Sequence, residues 1–408
     1  MKKPVYFCPI SIAYERFVEE DAYAEELAGG EKSREDVRGL VAAFEKVLGR
    51  YGRISVQFGE PLTLEGVLAE IEPGAAIDRL TPPKRRRLVT RLAFQVMNEI
   101  NQVSAVTPGS LVAAVLLSHD RRGLPHADMV SESRKLARLL HGQGARFSPA
   151  LAGGRPGDIR EDALRDAIDL FIAAGHVRAH RPGPGDKTHV RAGADVIYVV
   201  PDDARVKLDL SKNVVIHFFV ERGLVATALA TSSDRKLARA ALAERVMWLS
   251  RLFKYEFQFR ADAEFEGIFA DTLAAMQAEG ALALDGEDVV RPERGSDDEE
   301  SLLRYARLLK SFCEAYRMSA RGLGALVKGP LAPKDVTKRT LALGERMFLA
   351  GELGRREAIC RPLVDNALSA FVDMGYLSRA DGKLALPESY ASADAVRTIE
   401  KRVAAFVL

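Results

Sequence analysis

The sequence holds only three cysteines, Cys8, Cys313 and Cys360, in 408 residues. They lie far apart, form no CxxC pair and match no metal-ligand spacing. A disulfide framework is excluded, no metal residues are expected, and reduced thiols in a cytoplasmic protein are the expectation. Excess charge of one sign is also lacking. Lys and Arg number 59 against 57 Asp and Glu, a formal net charge of +2. With no bulk electrostatic drive toward nucleic acid or anionic lipid, any such contact must come from a local patch. Long apolar runs are missing too. The nearest, Val214 to Leu229, is broken by Glu221 and Arg222. It falls short of the ~18 uninterrupted residues that suggest a membrane span, and it reads as a core strand and helix. The chain starts on a strand, not on a basic stretch followed by an apolar helix, so no signal peptide is expected. Walker-type, G-x-G-x-x-G and G-x-S-x-G patterns are absent in usable form.

What is present is a long chain with 47% hydrophobic and 28% charged residues, enough for two or three domains with a large core. It opens on PVYFCPISIAY, Pro4 to Tyr14, hydrophobic on both faces as in a strand covered by helices. A helix is predicted from Ser33 to Leu48, with Val37, Leu40, Val41, Phe44, Val47 and Leu48 on one stripe. A second strand is predicted over Ile54 to Phe58, and the three pieces read as an α/β unit. After Pro73 the pattern turns helical. Helices are predicted from Thr81-Pro82-Pro83 to Val103, from Thr107-Pro108 to Ser118, and from Asp128 to Leu140.

A unit then recurs. Arg160 to Ala174, Thr272 to Glu279 and Leu363 to Met374 read as helices, each followed by a glycine (Gly175, Gly280, Gly375) and a short strand or hairpin. These are winged-helix-like pieces. Asp285 to Glu300 is polar and acidic, and reads as a linker or exposed loop.

Several residues could carry chemistry. Pro9 sits in the first strand, where a missing donor marks an edge that a ligand can approach, or an ordinary core strand. Gly59-Glu60-Pro61 reads as a turn. Lys84, Arg85, Arg86, Arg87 and Arg91 form the densest basic cluster, with Lys84, Arg87 and Arg91 on one face. That face is solvated, set against phosphate headgroups of an anionic membrane, or set against nucleic acid. His119-Asp120 and His126-x-Asp128 bracket a turn but lack further metal ligands. Trp248, Phe253, Tyr255, Phe257 and Phe259 alternate as if one face of a strand were aromatic, for core packing or a membrane interface.

The run CPISIAYERFVEEDAYAEELAGGEK with YGRISVQFGEPLTL resembles the fourth conserved block, and the strand after it, of the bacterial and mitochondrial glycerol-3-phosphate acyltransferase family. The resemblance continues through INQVSAVTPGSLVAAVLLSHDRRGLP, LDLSKNVVIHFFVERGLVATAL, LSRLFKYEFQF and KRTLALGERMFLAGELGRREAICRPLVDNALSAFVDMGYL, in the same order. It implies acyl transfer from acyl-CoA or acyl carrier protein to glycerol 3-phosphate, giving lysophosphatidate, with no cofactor. Pro9, Ile10, Ser11 and Ile12 match the block that lines the acyl-donor site.

The family's general base is a His-x4-Asp pair. None of the seven histidines here has Asp five positions on, so no catalytic residue is assigned and the chain alone is expected to be inactive. The resemblance implies an α+β, mainly α-helical fold: the end of an α/β acyltransferase domain (1–75), a helical region (76–284), an acidic linker (285–300) and a second helical region (301–408). It also implies a missing N-terminal half as partner, and a peripheral place on the cytoplasmic face of the inner membrane, or in the cytoplasm as a fragment. The face of the first strand should then be an exposed apolar patch. The alternative is a non-enzymatic winged-helix-like protein-binding or scaffold module. Nucleic acid is not an expected partner, since Asp162, Asp166, Asp169, Asp365 and Asp373 occupy the helices that would read it.

Overall fold

The computed structural model describes residues 4–408 apart from positions 18 and 28 and the stretches 31–50, 182–191 and 259–263. The helix expected over Ser33 to Leu48, and Phe259, lie outside the described residues. The N-terminal part runs β1 (Tyr6–Phe7), β2 (Ile10–Tyr14), α1 (Glu20–Leu27), β3 (Ile54–Phe58), β4 (Leu62–Thr63), α2 (Leu64–Ile71) and α3 (Pro82–Val103). The expected α/β unit takes another form. β2 pairs with β3 antiparallel, in the register Ile10 to Phe58, Ile12 to Val56 and Tyr14 to Ile54, and β1 pairs with β4, also antiparallel. Helix α1 packs on the helical body. Val67, Leu68, Leu80 and Leu88 form a small core of their own that ties α2 to α3 across position 75.

The remainder is helical with small sheets, as expected of an α+β, mainly helical chain. It begins β5 (Ala105–Val106), α4 (Pro108–Leu117), β6 (Leu124–Pro125), α5 (His126–Gly142), β7 (Arg146–Phe147), α6 (Glu161–Ala173), β8 (Arg178–His180), β9 (Ile197–Val199) and α7 (Arg205–Asn213). It continues α8 (Val220–Ala230), β10 (Lys236–Ala238), α9 (Arg239–Leu252), α10 (Phe265–Ala278), β11 (Ala283–Asp285), β12 (Asp288–Val290) and α11 (Asp297–Leu308). It ends α12 (Lys310–Gly322), α13 (Pro333–Leu349), α14 (Arg361–Asp373), β13 (Ser378–Ala380), β14 (Lys383–Ala385) and α15 (Ala393–Ala404).

One plan occurs three times in this list. A helix is followed by a short strand, two helices, a hairpin whose second strand pairs with the short one, and a closing helix. The sheets are β6-β9-β8 and β10-β12-β11; in the third unit Leu331 bridges Leu384 of β14, which pairs with β13. In each unit the closing helix packs on the opening one: α7 on α4, α11 on α8 and α15 on α12. From Pro108 on the chain is thus three winged-helix-like units in series, each closed by its own last helix. Gly175, Gly280 and Gly375 end α6, α10 and α14 at φ of 77°, 74° and 76°. The next residue's N–H reaches back to the carbonyls of Phe171, Met276 and Phe371 at 2.8, 2.9 and 2.9 Å. That is the left-handed cap that glycine accommodates without a Cβ penalty.

Three readings are corrected. Val214 to Leu229 contains no strand: a 3-10 turn (Ile216–Phe218) leads into α8, which is buried nearly all round and so shows no helical period. The aromatic alternation is not a strand either. Helix α9 ends at Leu252, and the chain turns so that Phe253 and Phe257, four apart, are both buried while Tyr255 points outward. Phe253 meets Tyr316 edge-on at 4.9 Å. The acidic stretch 285–300 is not an open loop, since it holds β12 and the first turn of α11, capped by Ser296 Oγ on the Glu299 N–H.

In the turn after α9, Glu256 accepts hydrogen bonds from Tyr316 Oη at 2.8 Å and Asn366 Nδ2 at 3.1 Å. Burial pushes its pKa up to about 7, against the partial relief of those bonds. A folded-state pKa above the unfolded one means the native state holds the extra proton. The resulting stabilisation is complete below about pH 4.5 and is lost as pH rises toward 7. Urea melts from pH 5 to 8 should therefore show stability falling by about 2–3 kcal/mol, and Glu256→Gln should flatten that slope.

Candidate functional site

Period-two alternation decides which side chains of the ribbon point where. Ile10, Ile12 and Tyr14 stand on one face opposite Phe58, Val56 and Ile54. Five of the six are exposed, from 43% at Ile10 to 62% at Ile54, and Tyr14 is half-buried. This is an apolar face in register on both strands, of the kind that marks an interaction surface.

The other face is fastened down. Ala13 is buried, and Ser11 Oγ lies 2.9 Å from Ser104 Oγ, which donates to the Ile100 carbonyl at 2.8 Å. Past the strand, a Cβ on Gly109 at the start of α4 would collide with the Glu15 carbonyl, so only glycine permits this approach. Glu20 opens α1 almost fully buried, with His176 Nε2 3.0 Å from Oε1 and Arg16 Nε donating to the same oxygen at 2.7 Å. Burial acts against the Glu20 carboxylate, but the His176 and Arg16 contacts outweigh it and hold its pKa below the usual range. Among the described residues the ribbon is thus held from behind and open in front.

The four candidate acyl-site residues divide accordingly. Pro9 and Ser11 point into the protein, while Ile10 and Ile12 point to the open face. Gly59, whose N–H reaches the Pro9 carbonyl at 2.8 Å, ends β3 in the expected turn. Ile54, Val56 and Phe58 complete the face and were not singled out from the sequence. Their alternation with Ser55 and Gln57 is the signal that could have found them.

The basic cluster lies on α3. Lys84 pairs with Glu72, and Arg91 lies 3.5 Å from Glu70, which also accepts from Gln95 at 2.7 Å. Arg85, Arg86 and Arg87 are exposed, close along α3 to exposed Val89, Phe94 and Met97.

His119 and Asp120 belong to a charged junction between units, not to a metal site. Asp120 accepts from Arg307 at 2.8 Å and Arg355 at 2.9 Å. Burial, then Arg355 and Arg205, lower the His119 pKa to about 4, so the imidazole is neutral near pH 7 and weakly basic. Close by, Arg205 holds buried Glu357 through two bonds of 2.7 and 2.8 Å. Among the described residues no group of three or more His, Cys, Asp or Glu could hold a metal ion. No helix among them is long and apolar enough to cross a membrane.

Comparison with known proteins follows the same outline. The family described as glycerol-3-phosphate acyltransferase C-terminal region matches residues 23–380. plsB1 of Mycobacterium tuberculosis, which carries the name of an acyltransferase, is 25% identical over 98% of this chain and 61% of its own length. Glycerol-3-phosphate acyltransferase of Pseudomonas entomophila is 25% identical over 98% of this chain and 47% of its own length. That of Xylella fastidiosa is 27% identical over 85% of this chain and 39% of its own. The chain spans about half the length of the curated relatives it matches.

Proposed function

The chain belongs to the glycerol-3-phosphate acyltransferase family through that family's C-terminal region, and from that premise we propose that it is the scaffold half of an sn-1 acyltransferase of phospholipid biosynthesis. In the complete reaction the glycerol 3-phosphate hydroxyl attacks the acyl thioester of acyl-CoA or acyl carrier protein. A base takes the hydroxyl proton, the thiolate leaves, and lysophosphatidate forms. No His-x4-Asp pair stands among the seven histidines. An acyltransferase half bearing that pair supplies the base, within a longer polypeptide or in trans.

The observation that carries this reading is the open ribbon face. Ile10 and Ile12, from the block that the family places at the acyl-donor site, stand on it beside Val56 and Phe58. An apolar face held rigidly from behind is suited to a matching sheet or helix layer, and burying it supplies the association free energy. The experiment mixes this chain with acyltransferase halves of the mycobacterial and Pseudomonas relatives and follows hydrogen exchange. Amides of Ile10–Tyr14 and Ile54–Phe58 should gain protection on mixing; unchanged exchange with every half rejects the proposed contact.

The same reading places the protein peripherally on the anionic cytoplasmic face of the inner membrane. Arg85, Arg86 and Arg87 make the electrostatic contact, and Val89, Phe94 and Met97 lie along the same helix. Lys84 and Arg91 are engaged with Glu72 and Glu70 and contribute less. At about 1 kcal/mol per basic residue, replacing the three arginines by alanine should weaken binding to anionic vesicles about a hundredfold in a flotation assay. Binding equal to that of the unaltered chain rejects this contact.

A further inference from the structure

The third unit carries a groove of about 750 Å³ between α13, α14 and the hairpin. Lys334, Lys338, Arg361 and Arg379 line it. The one carboxylate among its described lining residues, Asp365, already accepts from Thr337 Oγ1 at 2.6 Å and lies 3.6 Å from Arg361. Lys334, Lys338 and Arg379 have no ion-pair partner among the described residues. Among the described residues the groove is therefore strongly positive, in a chain whose overall charge is nearly balanced.

The threefold repeat shows that this charge is not a by-product of the fold. Leu331, Leu237 and Leu124 occupy the same place in the short strand of each unit. Counting on from them, Lys338 of the third unit corresponds to Glu244 of the second and Ser131 of the first. Counting back from the capping glycines, Arg361 corresponds to Glu266 and Glu161. Where the other two units carry acid or a neutral hydroxyl, the third carries cations facing a hollow.

We infer that this groove binds a phosphomonoester, either free or as the headgroup of a lipid. A phosphomonoester carries nearly two negative charges near neutral pH, against one for a diester, and lysine and arginine bind it by charge-assisted hydrogen bonds. Duplex nucleic acid suits the site poorly. The cations line a hollow, while Asp365 and Asp373 lie on the helix that would enter a groove of DNA.

The test titrates inorganic phosphate and glycerol 3-phosphate into the full chain, by NMR and calorimetry at low salt. Saturable, mutually competitive binding is expected, weakening as salt rises. Lys334→Glu with Lys338→Glu should weaken it about tenfold or more. Arg294→Ala, exposed and outside the groove, should leave it unchanged. All three groove cations chosen for change are exposed; Arg379→Gln serves as a second variant should the double one fold poorly. Vesicles separate the sources. Preference for phosphatidic acid over phosphatidylserine at equal surface charge, lost in the groove variants, identifies a lipid headgroup. Binding of the soluble esters without that preference identifies a free ligand. Absence of saturable binding by both esters and lipid, indifference to the groove variants, or tighter binding of a DNA duplex lost in those variants overturns the inference.

Discussion

Aspartate at Ile12 or Val56 is expected to abolish association with an acyltransferase half while leaving the chain folded. Both positions point outward from the ribbon, so a carboxylate there meets water in the isolated chain and costs little. In the complex the same carboxylate would be enclosed against an apolar layer with no cation opposite. Burying an unpaired charge costs several kcal/mol even after local relaxation. A loss of about 3 kcal/mol or more corresponds to association weakened more than a hundredfold. The thermal midpoint of the chain alone should stay within a degree or two, which separates a lost contact from a lost fold. Ala13→Asp, one position along and buried, should instead unfold the ribbon. Equal effects on association at Ile12, Ser11 and Val56 would mean that face selection plays no part.

Glu357→Ala is expected to be the most destabilising single change in the helical body. Glu357 and Arg205 are both buried and joined by two hydrogen bonds. Burial opposes ionisation of Glu357, but Arg205 outweighs it and keeps the carboxyl below its usual pKa, so the pair is charged. Removing one partner strands a buried guanidinium, at a cost of about 3–5 kcal/mol in urea unfolding. Replacing both residues together, Arg205→Met with Glu357→Leu, should recover most of that loss, because neither charge is then left unpaired. The pair joins the closing helix of the first unit to the third, so hydrogen exchange in α7 should rise in the single variant alone.

Local signals in the sequence were legible wherever the physics was local. Thr107-Pro108 starts α4 because Thr107 Oγ1 accepts from the Ser110 N–H and Ser110 Oγ accepts from the Thr107 N–H in return. Three glycines stop three helices because each needs positive φ. What depended on distant partners was not legible. The antiparallel pairing of β2 with β3 joins strands forty residues or more apart in sequence, Ile10 to Phe58 and Tyr14 to Ile54. Nothing around Arg205 announces Glu357, 152 positions away. The repeat was visible only as its central helix, glycine and hairpin, because the packing of closing helix on opening helix leaves no short motif. The aromatic segment misled because Phe-x-Tyr-x-Phe mimics a period of two, while Phe253 and Phe257 are buried together at a spacing of four.

Pro4 to Tyr14 read as a strand covered on both faces, and among the described residues the ribbon it forms is covered on one. The open face, not the absent base, is what the fold offers a partner. The most direct measurement is a turnover assay of the purified chain with glycerol 3-phosphate and palmitoyl-CoA, alone and with an acyltransferase half. Background rates alone, and lysophosphatidate formation that depends on the added half and on an apolar residue at Ile12, are the predicted result. Robust turnover by the chain alone would contradict the account.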